Sequence, residues 1–220
     1  AMTLVDMTMS NMSGSSLYSL KQQSLSMAKD LSAATKTVTD AVTIYANENE
    51  SVSSMLNKAQ PTVLLSAASG MSSSSSADAI QGILNQFNLS EDQAMHVADT
   101  VEKLSSEIAL DFSKGCDTIS QSIATSGSVV NEAGMSFEKY AALVSTTAEK
   151  TRVSSSQIGN AFKTIFSRIS RSKDGLTTDA EMSDAEAALK SVGVSVRRAD
   201  GDLRDISDTL DDLNKVCIMQ

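Results

Sequence analysis

Apolar residues recur along most of this chain with the spacing of an α-helix. They follow steps of three and four residues, so each set lies on one helical face. Each stripe is wide enough to be buried on one side but too interrupted for a continuous coiled coil. We therefore predict an all-α fold, a multi-helix bundle of short helices. The main stripes cover 17–31, 38–46, 79–87, 94–108 and 158–169, with a short helix over 116–123.

Polar residues predict where several of these helices begin and end. Ser90, Ser154 and Ser183 each precede a Gln or Glu by three residues, which is the capping-box pattern of a helix start. Pro61 is predicted to stop a helix over 51–60, because proline has no backbone N–H to donate. These signals support separate helices of modest length.

One segment departs from the helical pattern. Val194-Ser-Val196 alternates apolar and polar residues, and Asp200-Gly201 is a hairpin turn signal. We predict a small two-stranded β-hairpin near 194–204 that packs on the helices, because a hairpin alone is marginally stable. An ordered loop is the alternative.

The chain divides into two predicted regions. Residues 1–60 form an N-terminal helical segment, and residues 61–220 form the core helical domain. Within the core, Gly-Met-Ser at 70–72 recurs at 134–136, and the capping signals follow with the same offset. The stretches 65–104 and 129–168 are therefore candidates for a duplicated unit. The alternative is that the two stretches share only common capping residues, because Gly often ends a helix and Ser often begins the next one.

Composition agrees with a helical core and bounds the function. The 220 residues are 41% apolar and 4% aromatic, with no Trp and one Pro. A core of this kind is built mainly from aliphatic side chains, Met and Ala. The net charge of −9 disfavours stable nucleic-acid binding, which usually requires a basic surface. No apolar run reaches the ~18 residues that span a bilayer.

Cysteine usage and the chain ends add two expectations. Cys116 and Cys217 are 101 residues apart and have no metal-ligand spacing, so free thiols are favoured over a disulfide. The Ala-Met start is typical of a cloning remnant, and there is no signal peptide. Neither end resembles a natural domain boundary, so we expect a piece of a longer protein.

A co-linear series of motifs covers the chain from about residue 30 to 215. The central part is Ser126-Gly-Ser-Val-Val-Asn-Glu-Ala-Gly-Met-Ser136, followed by Phe137-Glu-Lys-Tyr140 and by the segment 156–168. The segments 189–196 and 200–205 follow in the same order. This series resembles the core of the phage tail tape measure family, of the minor tail protein type found in lactococcal-type siphophages.

The resemblance implies a structural component of a phage or prophage-derived tail. Such proteins lie inside the tail tube, template its length, and are assembled in the bacterial host cytoplasm. The implied partners are other tail proteins, namely the tube, the tail tip and chaperones, and further copies of the protein itself. A fully helical run of 220 residues would span only about 330 Å, so we expect the ruler to lie outside this chain.

The sequence contains no recognisable catalytic motif. His96 is the only histidine, and it has no acid or nucleophile motif nearby, so it is interpreted as a helix surface residue. Neither a nucleophile elbow nor a phosphate loop occurs. We therefore expect no catalytic, cofactor-binding or metal-binding residues and no small-molecule substrate. One alternative is a helical interaction module of a secreted or membrane-associated bacterial protein. Another is a cell-wall hydrolase, which would need two positioned carboxylates in a cleft, and composition can neither show nor exclude such a pair.

Two features are candidates for partner contact. Basic residues concentrate over 150–173, where a solvated face is the alternative to an acidic or phosphate partner. Aspartates over 200–212 lack calcium-loop spacing and are interpreted as a solvated helix start. The apolar seam that follows is coiled-coil-like and either packs inside the domain or begins a longer assembly helix. The candidate contacts are Lys163, Arg171, Leu203, Ile206, Leu210 and Leu213, and Cys217 continues the seam.

Overall fold

The computed structural model describes residues 13–47, 51–170, 184–200 and 204–218. Ten α-helices and one short 3₁₀ turn account for most of these residues, and the described ranges contain no strand. The predicted all-α fold is therefore confirmed. In chain order the helices are α1 Gly14–Asp30, α2 Thr35–Asn47, α3 Val52–Ser69, α4 Ser73–Phe87, α5 Ala94–Glu107, α6 Phe112–Glu132, α7 Phe137–Thr151, α8 Ser155–Ser170, α9 Asp184–Ser191 and α10 Ile206–Ile218.

The helices bury two apolar clusters. The larger cluster surrounds α6, whose Cys116, Ile119 and Ile123 are fully buried. It collects the apolar faces of α4, α5, α7 and α8. The smaller cluster is formed mainly by α1, α2 and the first half of α3. Aliphatic side chains and alanine dominate both clusters, as the scarcity of aromatic residues predicts.

Tyr140 lies at the centre of the few aromatic contacts in the larger cluster. Its ring lies 5.5 Å from that of Phe162 and 6.1 Å from that of Phe166, both nearly perpendicular to it. The ring of Phe87 is 6.3 Å away. The Tyr140 hydroxyl shares a hydrogen bond with the Ser126 hydroxyl, which also donates to the Ser122 carbonyl. The phenol is therefore both packed and hydrogen-bonded.

Burial of this phenol makes stability sensitive to alkaline pH. Burial raises the pKa of Tyr140 to about 12, against about 10 for an exposed tyrosine. Between those values the unfolded chain loses the phenolic proton while the folded chain keeps it, so stability falls as the pH rises. We expect a loss of roughly 2–3 kcal/mol across this window. Urea unfolding at stepped pH measures it, and Tyr140→Phe should flatten the curve.

The closest helix contact in the bundle is between α6 and α8. A Cβ atom placed on Gly159 of α8 would lie 2.7 Å from Thr125 Cβ and 3.0 Å from the Ser122 carbonyl oxygen. The Ser122 hydroxyl also donates to the Ser155 carbonyl across this contact. The absence of a side chain at Gly159 therefore determines how closely the two backbones approach.

The predicted helix starts agree with the structure where it describes them. Ser90 and Gln93 form a capping box. The backbone N–H of Ser154 donates to the side-chain oxygen of Gln157, and the backbone N–H of Gln157 donates to the Ser154 hydroxyl. Ser183 lies outside the described residues. Capping chemistry could thus be recognised from sequence alone.

Local geometry repeats with the offset of 64 residues noted in the sequence. Gly70 and Gly134 both have positive φ, at 73° and 92°. Asn88 and Arg152 are also left-handed, at 51° and 57°, and each ends a helix of 15 residues. The duplication of 65–104 and 129–168 remains a proposal, which these matching turns support.

Two predicted helix boundaries are wrong. Pro61 does not stop a helix but is buried within α3. The residue four positions earlier, Asn57, is exposed, so water can replace the amide donor that proline lacks. The short helix predicted over 116–123 is instead α6, the longest described helix at 21 residues. Ser120, Ser122 and Ser126 are buried in it and interrupt the apolar pattern without interrupting the helix.

The predicted hairpin near 194–204 is not formed by the described residues. The chain reverses there, and the Arg204 amide donates to the Val196 carbonyl. The Ser195 hydroxyl, however, accepts the Arg197 amide and donates to the Arg197 carbonyl, which competes with a strand ladder. Residues 201–203 lie outside the described ranges. The described residues here contain one isolated β-bridge position, at Arg197, and no strand.

Candidate interaction surface

An apolar groove lies between α8, α9 and α10, and we call it the C-terminal groove. Its volume is about 240 Å³, and it is open to solvent on one side. Such a groove can accept side chains from another surface, because it exposes apolar groups that a monomer normally buries. The lining residues are Ile165 and Arg168 of α8, Leu189 of α9, and Ile206, Thr209, Leu210 and Leu213 of α10.

Helix α10 is held against the bundle by its first turns. Ile206 is 2% exposed and belongs to the larger cluster, and Leu210 packs on that cluster. Lys139 Nζ of α7 lies 3.4 Å from a carboxylate oxygen of Asp205. These contacts fix one wall of the groove, while Leu213 remains only partly buried.

Salt bridges order the outer side of α10. Arg204 Nη2 lies 2.8 Å from one oxygen of Asp212, and Lys215 Nζ lies 3.0 Å from the other. The hydrogen bonds from Lys215 and then Arg204 lower the pKa of the Asp212 carboxyl. Asp208 and Asp211 are exposed and have no ion-pair partner among the described residues. The free acidic charge of α10 is therefore at Asp208 and Asp211.

Helix α9 forms the third wall through Leu189, and an ion pair links this helix to the loop that follows it. Arg197 Nε lies 3.0 Å from Glu186 Oε1, and both side chains are largely buried. Val194 and Val196 of the same loop are buried. The alternation of Val194 and Val196 therefore corresponds to two buried side chains in a segment that is not a strand.

The predicted partner-contact residues occupy different environments. Ile206 is buried, and Leu210 and Leu213 are partly buried walls of the C-terminal groove. Lys163 is exposed on α8 and does not line the groove. Arg171 and Leu203 lie outside the described residues, as does the Cys217 side chain. Their role in partner contact remains a proposal.

The structure corrects one expectation about α8. Its stripe was expected to face the core along its whole length, but Ile165 is 45% exposed. Ile158 and Phe166 of the same stripe are buried against the bundle. Ile165 instead lines the C-terminal groove.

A second exposed apolar surface lies on α1, and we call it the α1 outer face. It consists of Tyr18, Lys21, Leu25 and Lys29, spaced three, four and four residues apart. Tyr18 is 65% exposed and Leu25 is 42% exposed. Neither lysine has an ion-pair partner among the described residues. The opposite side of α1, with Leu20 and Ser24, is buried against the neighbouring helices.

The titratable groups in the described ranges include one contact between α5 and α7 and one buried thiol. His96 of α5 donates from Nε2 to Glu138 Oε1 of α7 at 2.8 Å, and both side chains are about half exposed. This hydrogen bond lowers the pKa of the Glu138 carboxyl. Cys116 is a buried free thiol whose pKa is raised by burial. Sequence reasoning missed the His96–Glu138 contact, because 42 residues separate its members and no motif links them.

No group of three or more His, Cys, Asp or Glu side chains in the described ranges could hold a metal ion. None of the helices in those ranges has the length and apolar character required to cross a membrane.

Comparison with known proteins identifies the family. The family model described as phage-related minor tail protein matches residues 21–217, which is most of the chain. The chain belongs to this family. A minor tail protein is a component of the phage tail, so the phage-tail family expected from the sequence is confirmed, and with it a structural role in the tail.

The chain is also similar to one individual phage protein. The chain is 23% identical over 190 residues to the probable tape measure protein of Escherichia phage P2. The match covers 86% of this chain but 22% of that protein, so the chain spans about a fifth of its relative. No solved structure matches the chain.

Proposed function

We propose that this chain is a folded, non-catalytic module of a tape measure protein, the tail component that templates tail length and assembly. The observation that carries the proposal is the match to the minor tail family across residues 21–217, together with the similarity to a probable tape measure protein. The all-helical bundle, with partner-accessible surfaces at α1 and at the C-terminal groove, supports a role in protein–protein contact.

In this proposal the module is a compact folded part of the tape measure protein and is not the segment whose length determines the length of the tail. Its longest described helix has 21 residues and is only about 32 Å long. The helices fold back on one another around two clusters, so the chain covers far less distance than an extended helix would. Length is therefore set by parts of the tape measure protein outside this module.

The proposed partners are other tail proteins, namely the tube, the tail tip and assembly chaperones, and a further copy of the chain. The candidate contacts are the apolar walls of the C-terminal groove and the exposed cation Lys163 on α8. The protein would assemble in the bacterial host cytoplasm and remain in the virion tail.

Deletion in the phage tests both parts of the proposal. Removing residues 21–217 in frame should abolish infectious tailed particles, because the module is needed for assembly. Electron microscopy and infectious titre measure the result, and a phage carrying only Gly82→Ala serves as a control with an intact module. Infectious tails of unchanged length would contradict the structural role. Tails shortened by about 300 Å would instead make this segment part of the ruler.

Peptidoglycan digestion tests the absence of catalysis. The purified chain should produce no clearing in a gel containing peptidoglycan, because no carboxylate lines the C-terminal groove, whereas a glycosidase requires an acid pair in its cleft. A lysozyme lane is the positive control. Clearing at the mass of this chain would contradict the proposal.

A further inference from the structure

The helices α3, α4 and α5 correspond in order to α6, α7 and α8, and we call each set a three-helix unit. The second helix of each unit has 15 residues and begins after a capping serine. The Ser72 hydroxyl accepts the backbone N–H of Ser75, and the Ser136 hydroxyl accepts that of Lys139. In each unit the first helix packs on the second and on the third. The correspondence therefore covers the helices and also the way they pack.

A buried hydroxyl occupies the same place in the first helix of both units. Thr62 of α3 and Ser126 of α6 are separated by the offset of 64 residues, and both are fully buried. Each hydroxyl donates to the backbone carbonyl four residues earlier. Each also shares a hydrogen bond with the hydroxyl of a buried tyrosine, Tyr45 or Tyr140. Shared capping residues do not account for this match, because it lies inside each helix and not at its end.

The helices on either side continue the same pattern. Helix α6 packs on α4 and α5 of the preceding unit, and α3 packs in the same way on α1 and α2. Helix α1 is followed by a left-handed residue, Ser32 at φ 50°, as α4 and α7 are by theirs. Helix α9 packs on α8 and is followed by Gly193-Val194-Ser195, whose glycine is left-handed like those after α3 and α6. Helices α1 and α2 thus hold the place of the last two helices of an earlier unit, and α9 holds that of the first helix of a later one.

Helix contacts in the described part of the chain join near neighbours. All the extensive contacts there are between elements at most three helices apart in chain order. This pattern is typical of a linear array, in which each unit contacts only the units before and after it. The α1 outer face belongs to the first described helix, and the C-terminal groove belongs to the last three. The two surfaces therefore lie at opposite ends of the array.

We propose that the chain is a spacer, in which two stacked three-helix units set the separation between the α1 outer face and the C-terminal groove. One unit can be removed or repeated without loss of the fold, because each new contact replaces an equivalent one. Removing a unit shortens the separation, and repeating it lengthens the separation. The inference concerns how the module is built and not its role in the tail, so the two can fail separately.

Deletion of residues 73–136 tests the removal of a unit. The deleted residues carry α4, α5 and α6, and α3, α7 and α8 form the unit that remains. We expect a helical chain that unfolds cooperatively on heating, as followed by circular dichroism. The control deletion, of residues 73–138, removes the same helices but turns α7 by about 200° relative to its capping serine. It puts Lys150 in the place of the buried Ala148, so this chain should not unfold cooperatively.

A distance measurement tests the spacing. Spin labels attached to Lys21→Cys on α1 and Lys163→Cys on α8 occupy exposed positions. The labelled chain also carries Cys217→Ser, and the other native cysteine, Cys116, is fully buried. Pulsed electron paramagnetic resonance should give a shorter separation in the deletion variant and a longer one when residues 73–136 are present twice in succession. Each change should be at least about 8–10 Å, the distance between packed helices.

The two variants together decide the proposal. A folded product of either change, with the expected shift in separation, supports the spacer. The proposal is overturned if neither variant folds or if the separation between the labels stays the same. It is also overturned if the control deletion is as stable as the deletion of residues 73–136, because the correspondence between the units would then not determine the packing.

Discussion

Gly159→Ala is expected to destabilise the bundle by about 1–3 kcal/mol, because the new methyl group would overpack the contact between α6 and α8. Its Cβ would lie 2.7 Å from Thr125 Cβ and 3.0 Å from a backbone oxygen, and the backbone cannot move aside as a flexible side chain does. The melting temperature of a chain of this size should fall by about 2–4 °C per kcal/mol. Thermal unfolding followed by circular dichroism measures the change.

Gly82→Ala is the matched control for that substitution. Gly82 lies within α4, and a Cβ there would meet no atom within 4 Å. Both variants gain the helix propensity of alanine, so the control should be stabilised by about 0.5–1 kcal/mol. The difference between the two variants isolates the packing cost. Equal stabilities would mean that the bundle relaxes around Gly159 without penalty.

Tyr140→Ala is expected to cost about 3–5 kcal/mol, the largest effect of a single truncation in the larger cluster. The substitution removes a fully buried ring that contacts Phe87, Phe162 and Phe166. It would leave a cavity where four helices meet. Urea unfolding gives the free energy directly, with the denaturant slope checked for a change in the unfolded state.

Tyr140→Phe separates the packing of the ring from its hydrogen bond. It keeps the ring and removes only the hydroxyl contact with Ser126, which retains its own bond to the Ser122 carbonyl. The cost should be about 1 kcal/mol. A phenylalanine variant as unstable as the alanine variant would show that the hydroxyl, and not the ring, holds the cluster together.

Sequence reasoning succeeded where local chemistry decides the structure. The stripe over 94–108 became α5, which the structure ends at Glu107. The serine caps at Ser90 and Ser154 lie where the capping pattern placed them. Family membership was also readable, since the co-linear motifs lie within the matched range 21–217. Each of these signals depends on residues that are close in sequence.

The failures share a cause, namely that tertiary contacts decided the outcome. Pro61 remains inside α3 because its neighbours bury it, which local propensity does not register. Gly159 contributes nothing to an apolar pattern, yet it sets the closest helix approach. Ile165 fits the apolar stripe of α8, but no helix covers it fully. The groove lies between three consecutive helices, α8, α9 and α10. The apolar residues of these helices could be listed from the sequence, but the angles at which the helices pack could not be predicted from it.

The two apolar clusters share structural elements, and this has a consequence for how the chain melts. Helix α3 contributes Met55 and Val63 to the smaller cluster and Leu65 to the larger. Helix α4 does the same with Ala77 and Ile80. Neither cluster can lose its order without fraying a helix that the other needs, so native-state hydrogen exchange should find α3 and α4 opening together as one foldon. A force applied to α1 would accordingly reach the larger cluster through α3, which contacts α1 and contributes residues to both clusters.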